Sequence, residues 1–376
     1  MAKKAYIGIE GVARKIRKSY IGVDGVARKI KKAYIGIGGV ARPCWSGAEL
    51  VYYGTVTGLS LARSRLAATT VGGYAIFGGG LSSDYTNVVD AYDESLSRST
   101  PTILSQRRSE LAATSVGGYA LFGGGGGDSG GTYNKSSVVD AYNESLTRSI
   151  PTALKEGRNA LAATSVGEFA LFGGGGSIYV DAYNKSLTKS NPTALNALIY
   201  NLAAANVGDY ALFGGGNVSN NSIGTVFAYD KSLTQTLPTA LSIARYSMAA
   251  TAVGGYALFG GGGESSSVYK SATVDAYDRS LTRTAPTELS VARSYLSATT
   301  VGDYALFGGG TVPFAPRDSA TVDVYDVHLT RTIPANLNNA RGELAATSVG
   351  CFALFGGGNS IDDNAKRSTV DVYTVT

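Results

Sequence analysis

Along most of the chain, short apolar runs alternate with glycine-rich or polar breaks, and the alternation recurs as a unit. A Leu-Phe-Gly-Gly core ends on Phe122, Phe172, Phe213, Phe259, Phe307 and Phe355, and the variant Ile76-Phe77-Gly78-Gly79 precedes them, seven copies spaced 41 to 50 residues apart. Residues 108–155 show the order within one copy. Arg108 leads into a run of small residues, Leu111-Ala-Ala-Thr-Ser-Val116, followed by Gly117-Gly118 and the apolar run Tyr119-Ala-Leu-Phe122. After a glycine-rich segment come Val138-Val-Asp-Ala-Tyr142, Asn143-Glu144, a last short run from Leu146, and Pro151. Short runs of this kind, bounded by Gly, Asn, Asp and Pro, predict four β-strands per copy.

Each break has a physical reading. The turn between the first two strands opens with Gly72, Gly117, Gly167, Gly208, Gly254, Gly302 or Gly350, while its second position varies. That asymmetry fits a type II′ hairpin, whose first central residue needs positive φ. The slim Ala-Ala-Thr strand suits an innermost position around an axis. The continuously apolar second strand is expected where both sheet faces are covered. Pro101, Pro151, Pro192, Pro238, Pro286 and Pro334 stand in register after the fourth strand, where no ladder donor is needed.

Seven copies of four strands predict an all-β fold, a seven-bladed β-propeller over residues 46–376. The ends support closure. The last copy stops after Val370-Asp-Val-Tyr373, one strand short, and Leu50-Val-Tyr-Tyr53 stands before Arg63 at the offset of a fourth strand. Residues 49–55 are therefore expected to complete the last blade and hide its open edge. An open β-solenoid is the alternative, but it needs no complementary half-blades.

Residues 1–45 follow a different rule, a 14-residue repeat: Tyr6-Ile-Gly-Ile-Glu-Gly-Val-Ala-Arg14, Tyr20-Ile-Gly-Val-Asp-Gly-Val-Ala-Arg28 and Tyr34-Ile-Gly-Ile-Gly-Gly-Val-Ala-Arg42. Glu10-Gly11, Asp24-Gly25 and Gly38-Gly39 read as hairpin turns, giving a small basic β-meander that ends at Pro43-Cys44-Trp45. This head holds eleven Lys/Arg against Glu10 and Asp24, a net of +9, so with +5 for the whole chain residues 46–376 carry −4. With so little apolar area the head is expected to pair with a partner or another copy.

Composition narrows the chemistry. Only 16% of the 376 residues are charged, against roughly 25% in ordinary soluble proteins. No run of eighteen apolar residues is present, so no membrane-inserted helix is expected, and the basic start lacks a signal-peptide pattern. Cys44 and Cys351 lie far apart and read as free thiols. The glycine run Gly123–Gly127 is not followed by Gly-Lys-Ser/Thr, which argues against a phosphate loop.

The body resembles the Kelch family of propellers in three features: the glycine run after the second strand, the Arg before the first, and the third-strand Tyr (for example Tyr92, Tyr142 and Tyr183). The likeness covers about residues 46–376. It departs in the fourth strand, where Kelch repeats carry Trp and this chain has Leu-Thr-Arg; Trp45 is its single tryptophan. The head resembles short repeats in tail-associated structural proteins of bacteriophages and prophages, which implies a virion component made in a bacterial cytoplasm.

Some Kelch-fold proteins are copper oxidases, but their several His ligands have only His328 as a counterpart, and that residue falls in a turn. Sialidase propellers use Arg clusters. Here Arg63, Arg108, Arg158, Arg245, Arg293 and Arg341 recur once per blade, with Ile199 breaking the series, which reads as framework linking adjacent blades; an anion-binding ring is the alternative. The third-strand Asp90, Asp140, Asp181, Asp275, Asp323 and Asp371 read as structural acceptors, with Phe227 in the fourth copy. No catalytic residue, cofactor or metal is expected.

The copies differ most between strands two and three, in loops that leave a propeller on one face. These loops carry the expected ligand-binding residues: Asp84, Tyr85 and Asn87; Tyr133 and Asn134; Tyr179; Asn217, Asn220 and Asn221; Tyr269; Phe314 and Arg317; and Asp362 and Asp363. Tyr with Ser, Gly and Asn is the composition of adaptable binding surfaces. The expected role is a non-enzymatic tail-tip, fibre or baseplate-region protein in multiple copies per particle. Its head (Tyr6, Arg14, Tyr20, Arg28, Tyr34, Arg42 and Trp45) would dock to other virion proteins rather than to nucleic acid. Its loop face would bind a host-surface glycan or protein. Alternatives are a decorating protein without receptor role and a lectin-like module outside a particle.

Overall fold

Seven four-stranded antiparallel sheets follow one another along the chain of this computed structural model. It describes residues 49–128, 133–265 and 269–376, together with the strand backbones 6–9, 12–15, 20–23, 26–29, 34–37 and 40–43. Blade two is representative: Ala112–Val116, Tyr119–Gly123, Val139–Asn143 and Arg148–Ser149 pair in chain order from inside to outside. The innermost strand of each blade packs on that of the next, and Ala345–Val349 packs on Ala67–Val71, so the ring closes.

Closure takes the expected route. Leu50–Val56 pairs antiparallel with Val370–Val375, and the Glu49 and Thr376 backbones exchange two hydrogen bonds of 3.1 and 3.0 Å. The outer strands of the other six blades hold two residues each. The joined ends thus form the longest outer ladder of the ring. First-turn glycines have φ between +54° and +60° in all seven blades, and the second position is positive only at Gly118 and Gly255. Five turns thus agree with the type II′ reading, while Gly117-Gly118 and Gly254-Gly255, positive at both positions, follow the type I′ pattern.

The core is seven cores, each between two blades. Phe122, for instance, packs with Ala67, Ile76, Val89 and Leu111 of the cluster that spans blades one and two. The Phe-Gly pair explains itself here. A side-chain carbon on Gly78 would lie 2.9 Å from the Phe122 ring, and the same contact recurs round the ring to Gly356 against Phe77. Glycine therefore forms the socket for the next blade's phenylalanine. Within each blade that ring meets the third-strand Tyr edge-on, at 6.0 Å for Phe122 and Tyr142. The Tyr142 hydroxyl donates to the Thr102 carbonyl at 2.7 Å and so fixes the incoming connector. Burial, and then the Asp140 carboxylate, raise the Tyr142 pKa.

The Arg and Asp series form one buried strut in each of six blades, blade four excepted. Arg108 Nη2 donates to Asp140 Oδ2 at 2.7 Å and to the Phe122 carbonyl at 3.1 Å, with both charged side chains wholly inaccessible to solvent. Burial lowers the guanidinium's pKa and Asp140 opposes that. The guanidinium bonds stay within the residue's own blade, unlike the expected bridge between blades. The inter-blade link comes instead from the arginine backbone, whose carbonyl accepts from Gly80 N of the preceding blade at 2.9 Å. The side chain is too deep in its own sheet to reach across.

In the head, strand backbone 6–9 pairs with 12–15, 20–23 with 26–29 and 34–37 with 40–43. These pairs join no other strand among the described residues, three ladders rather than one meander. The turn residues, Cys44 and Trp45 lie outside the described residues.

Candidate ligand site at the mouth of the central channel

Two residues after each position of the arginine series stand Arg65, Glu110, Ala160, Asn201, Ser247, Tyr295 and Glu343. All seven adopt left-handed backbone, with φ between +51° and +57°. Their amides and carbonyls form a closed girdle: each N–H donates to the carbonyl of the equivalent residue in the preceding blade at 2.9–3.0 Å, and Arg65 N donates to Glu343 O. The backbone is the same seven times over, while the side chains are a cation, two acids, an amide, a hydroxyl, a phenol and a methyl. Left-handed backbone costs a non-glycine residue about 1–2 kcal/mol. In a chain with 50 glycines, none of these positions uses one.

These side chains line a cavity of about 580 Å³ on the pseudo-sevenfold axis, with contributions from every blade. That lies within the ~300–1,000 Å³ of small-molecule sites. One sector is ionic: Arg65 donates to Glu343 at 2.9 Å and to Glu110 at 3.0 Å. The opposite sector is neutral, built from Asn201, Asn217, Ser247, Tyr200 and Tyr295. Leu66, Leu111, Leu161, Leu202, Met248, Leu296 and Leu344 form an apolar ring directly behind the girdle. Two lining atoms, Asn159 Oδ1 and Ser247 Oγ, are buried without a hydrogen-bond partner among the described residues. Each such atom costs about 1–3 kcal/mol, a cost that a ligand or solvent relieves.

No protein-family model matches the chain, and no curated protein matches it. Among solved structures, one titled "Structure of YjhT" aligns with 74% of this chain and 99% of its own, at TM-score 0.60 and 13% identity. The likeness shows the fold. At that identity it carries nothing about function.

Of the loop residues expected to bind, Asn217 and Asn220 line the axial cavity. Asn134 lies in a second groove of about 470 Å³ with Gln106, Arg107 and Lys135. The Tyr85 and Tyr133 rings meet at 6.2 Å, tilted by 44°, and the exposed Asp84 lies 3.5 Å from Arg107. Asn221, Tyr269, Phe314 and Arg317 are exposed, the last two on one loop. Others are engaged within the protein. Asn87 Nδ2 donates to the Leu104 carbonyl at 3.3 Å, and the Tyr179 ring lies under Lys155 Nζ at 3.7 Å. The Asp362 carboxylate accepts from Arg317 N and Asp318 N, tying two loops together, while Asp363 pairs with Arg367. His328 is an exposed turn residue whose N–H donates to Asp326.

The girdle itself escapes loop-by-loop comparison. Its signal is present in the sequence as the position two residues after the arginine series, just before a Leu or Met, where six different residues stand in the seven copies.

Proposed function

We propose that this protein is a non-enzymatic structural and binding component of a phage or phage-like particle, a divergent Kelch-like propeller carried by a basic docking head. Residues 1–45 attach it to other particle proteins in the tail-tip, fibre or baseplate region. The propeller turns its loop face, with the axial cavity at its centre, toward a host-surface glycan or protein. Several copies per particle let weak single contacts add up.

One observation carries the binding role: seven strained backbone positions around a cavity hold six different side chains, only glutamate being used twice, where a purely structural girdle is best built from glycine. The docking role rests on the head's charge and its tandem hairpins. Deleting residues 1–45 tests it. The truncated propeller is expected to stay folded, to disappear from purified particles and to leave those particles unable to adsorb to host cells. Incorporation of the truncated chain at normal levels overturns the docking role. Normal adsorption by particles lacking the protein overturns the receptor role.

A further inference from the structure

The axial cavity also constrains what fits it. Its fixed charges are one guanidinium and two carboxylates, and the two Arg65 bonds to Glu110 and Glu343 already satisfy much of the cation. An entering anion meets two carboxylates, and an entering cation meets Arg65, so either charge has to break an ion-paired sector. The neutral sector offers mixed donors and acceptors: the Asn201 and Asn217 amides, the Ser247 hydroxyl with no partner of its own, and the orphaned Asn159 Oδ1. Tyr200 and Tyr295 add aromatic faces and the leucine ring an apolar floor. A ligand complementary to this lining is uncharged, carries hydroxyls that both donate and accept, and has an apolar C–H face.

We propose that the cavity binds the terminal unit of a neutral saccharide, inserted along the propeller axis with one ligand per propeller. This rests on the receptor-binding reading above and narrows it. Glu110, Glu343 and Asn159 accept from ligand hydroxyls, Ser247 and Arg65 donate, and a tyrosine covers the C–H face. Ser247 thereby gains the partner it lacks.

The test uses the full chain and a panel of methyl glycosides of glucose, galactose, mannose and N-acetylglucosamine, with glucuronic acid and glucosamine as charged counterparts, read by saturation-transfer NMR titration. At least one neutral glycoside is expected to bind saturably, and the charged counterparts about tenfold more weakly or worse, the scale of one mispaired buried group. Ser247→Gly, at φ +51°, relieves backbone strain and removes a ligand contact. It is expected to raise the melting midpoint while weakening binding about fivefold. Ala160→Trp fills the cavity and abolishes binding. Failure of every neutral glycoside, equal or tighter binding of a charged one, or binding that survives Ala160→Trp overturns the proposal. Particles carrying Ala160→Trp separate it from the broader reading. If they bind no saccharide yet adsorb normally, the receptor lies on the outer loops, and only the axial assignment falls.

Discussion

Blade four and its six neighbours solve the same packing problem with opposite chemistry. In blade two, Arg108 pairs with Asp140, and Arg148 approaches the other carboxylate oxygen at 3.7 Å. In blade four the corresponding residues are Ile199, Phe227 and Gln235, all three charges replaced together. Ile199 and Phe227 are buried in one cluster with Val180, Leu195 and Phe213. The backbone does not register the exchange: Phe213 faces Phe227 across the ladder as Phe122 faces Asp140. The strut is therefore a filling for a fixed frame, and either version fits. A buried ion pair repays its desolvation only when its hydrogen bonds are complete. Arg108 and Arg293 fall short of that, since Nε and Nη1 of each are buried without a partner among the described residues. The apolar filling avoids the cost, and replacement of the whole set keeps any one charge from being left alone.

The largest effect should come from mixing the two solutions. Phe227→Asp places a lone carboxylate against Ile199 and removes a buried ring. It should cost at least about 5 kcal/mol in chemical denaturation, summing the loss of a core aromatic with an unpaired buried charge. Adding Ile199→Arg should recover part of it. A cost under ~1 kcal/mol for the single change would mean that blade four tolerates charge and that the comparison is empty. Next in size is Arg245→Ile in blade five, expected to cost about 3–5 kcal/mol because Asp275 keeps only Arg283, at 2.8 Å, as a cationic partner. Completing the exchange with Asp275→Phe and Arg283→Gln should bring stability back to within ~2 kcal/mol of the parent. If the triple variant is no more stable than the single one, the fillings are not interchangeable.

How much of this was legible follows from what repeats. The blade count, the closing strand and the Arg–Asp–Tyr framework could be read because each is written several times, so Ile199 and Phe227 stood out against a series. The pairing of those two exceptions was harder to see, since residue 199 lies in the connector before the first strand and residue 227 in the third strand, and only the fold sets them side by side. The girdle was hidden for the opposite reason. Arg65, Ala160 and Tyr295 share no side-chain property, only a backbone angle, and a search for recurring residue types passes over a position where only glutamate appears twice. Loop variability picked out Asn217 and Asn220, which line the axial cavity, but also included Asn87 and Asp362, whose polar atoms hold loops in place. In the head the paired strands follow the repeat, because each hairpin joins neighbouring segments of the chain.

The smallest predicted effect separates charge from hydrogen bonding in the outer member of the strut. Arg148 Nη1 lies 2.7 Å from the Ile103 carbonyl, closer than its 3.7 Å approach to Asp140, and the side chain is about a quarter exposed. At that exposure the ion pair is worth at most ~1 kcal/mol and is screened by salt. Blade four performs the same task without charge, for Gln235 Nε2 donates to the equivalent Ala194 carbonyl at 3.1 Å. Arg148→Gln should therefore cost less than ~0.5 kcal/mol, and Arg148→Ala about 1 kcal/mol, the value of one connector hydrogen bond. The Arg148→Ala cost should persist in 1 M salt. Were it to vanish there, or were Gln to cost as much as Ala, the fourth-strand residue would act through Asp140 rather than through the connector, and the glutamine of blade four would be a loss instead of a substitute.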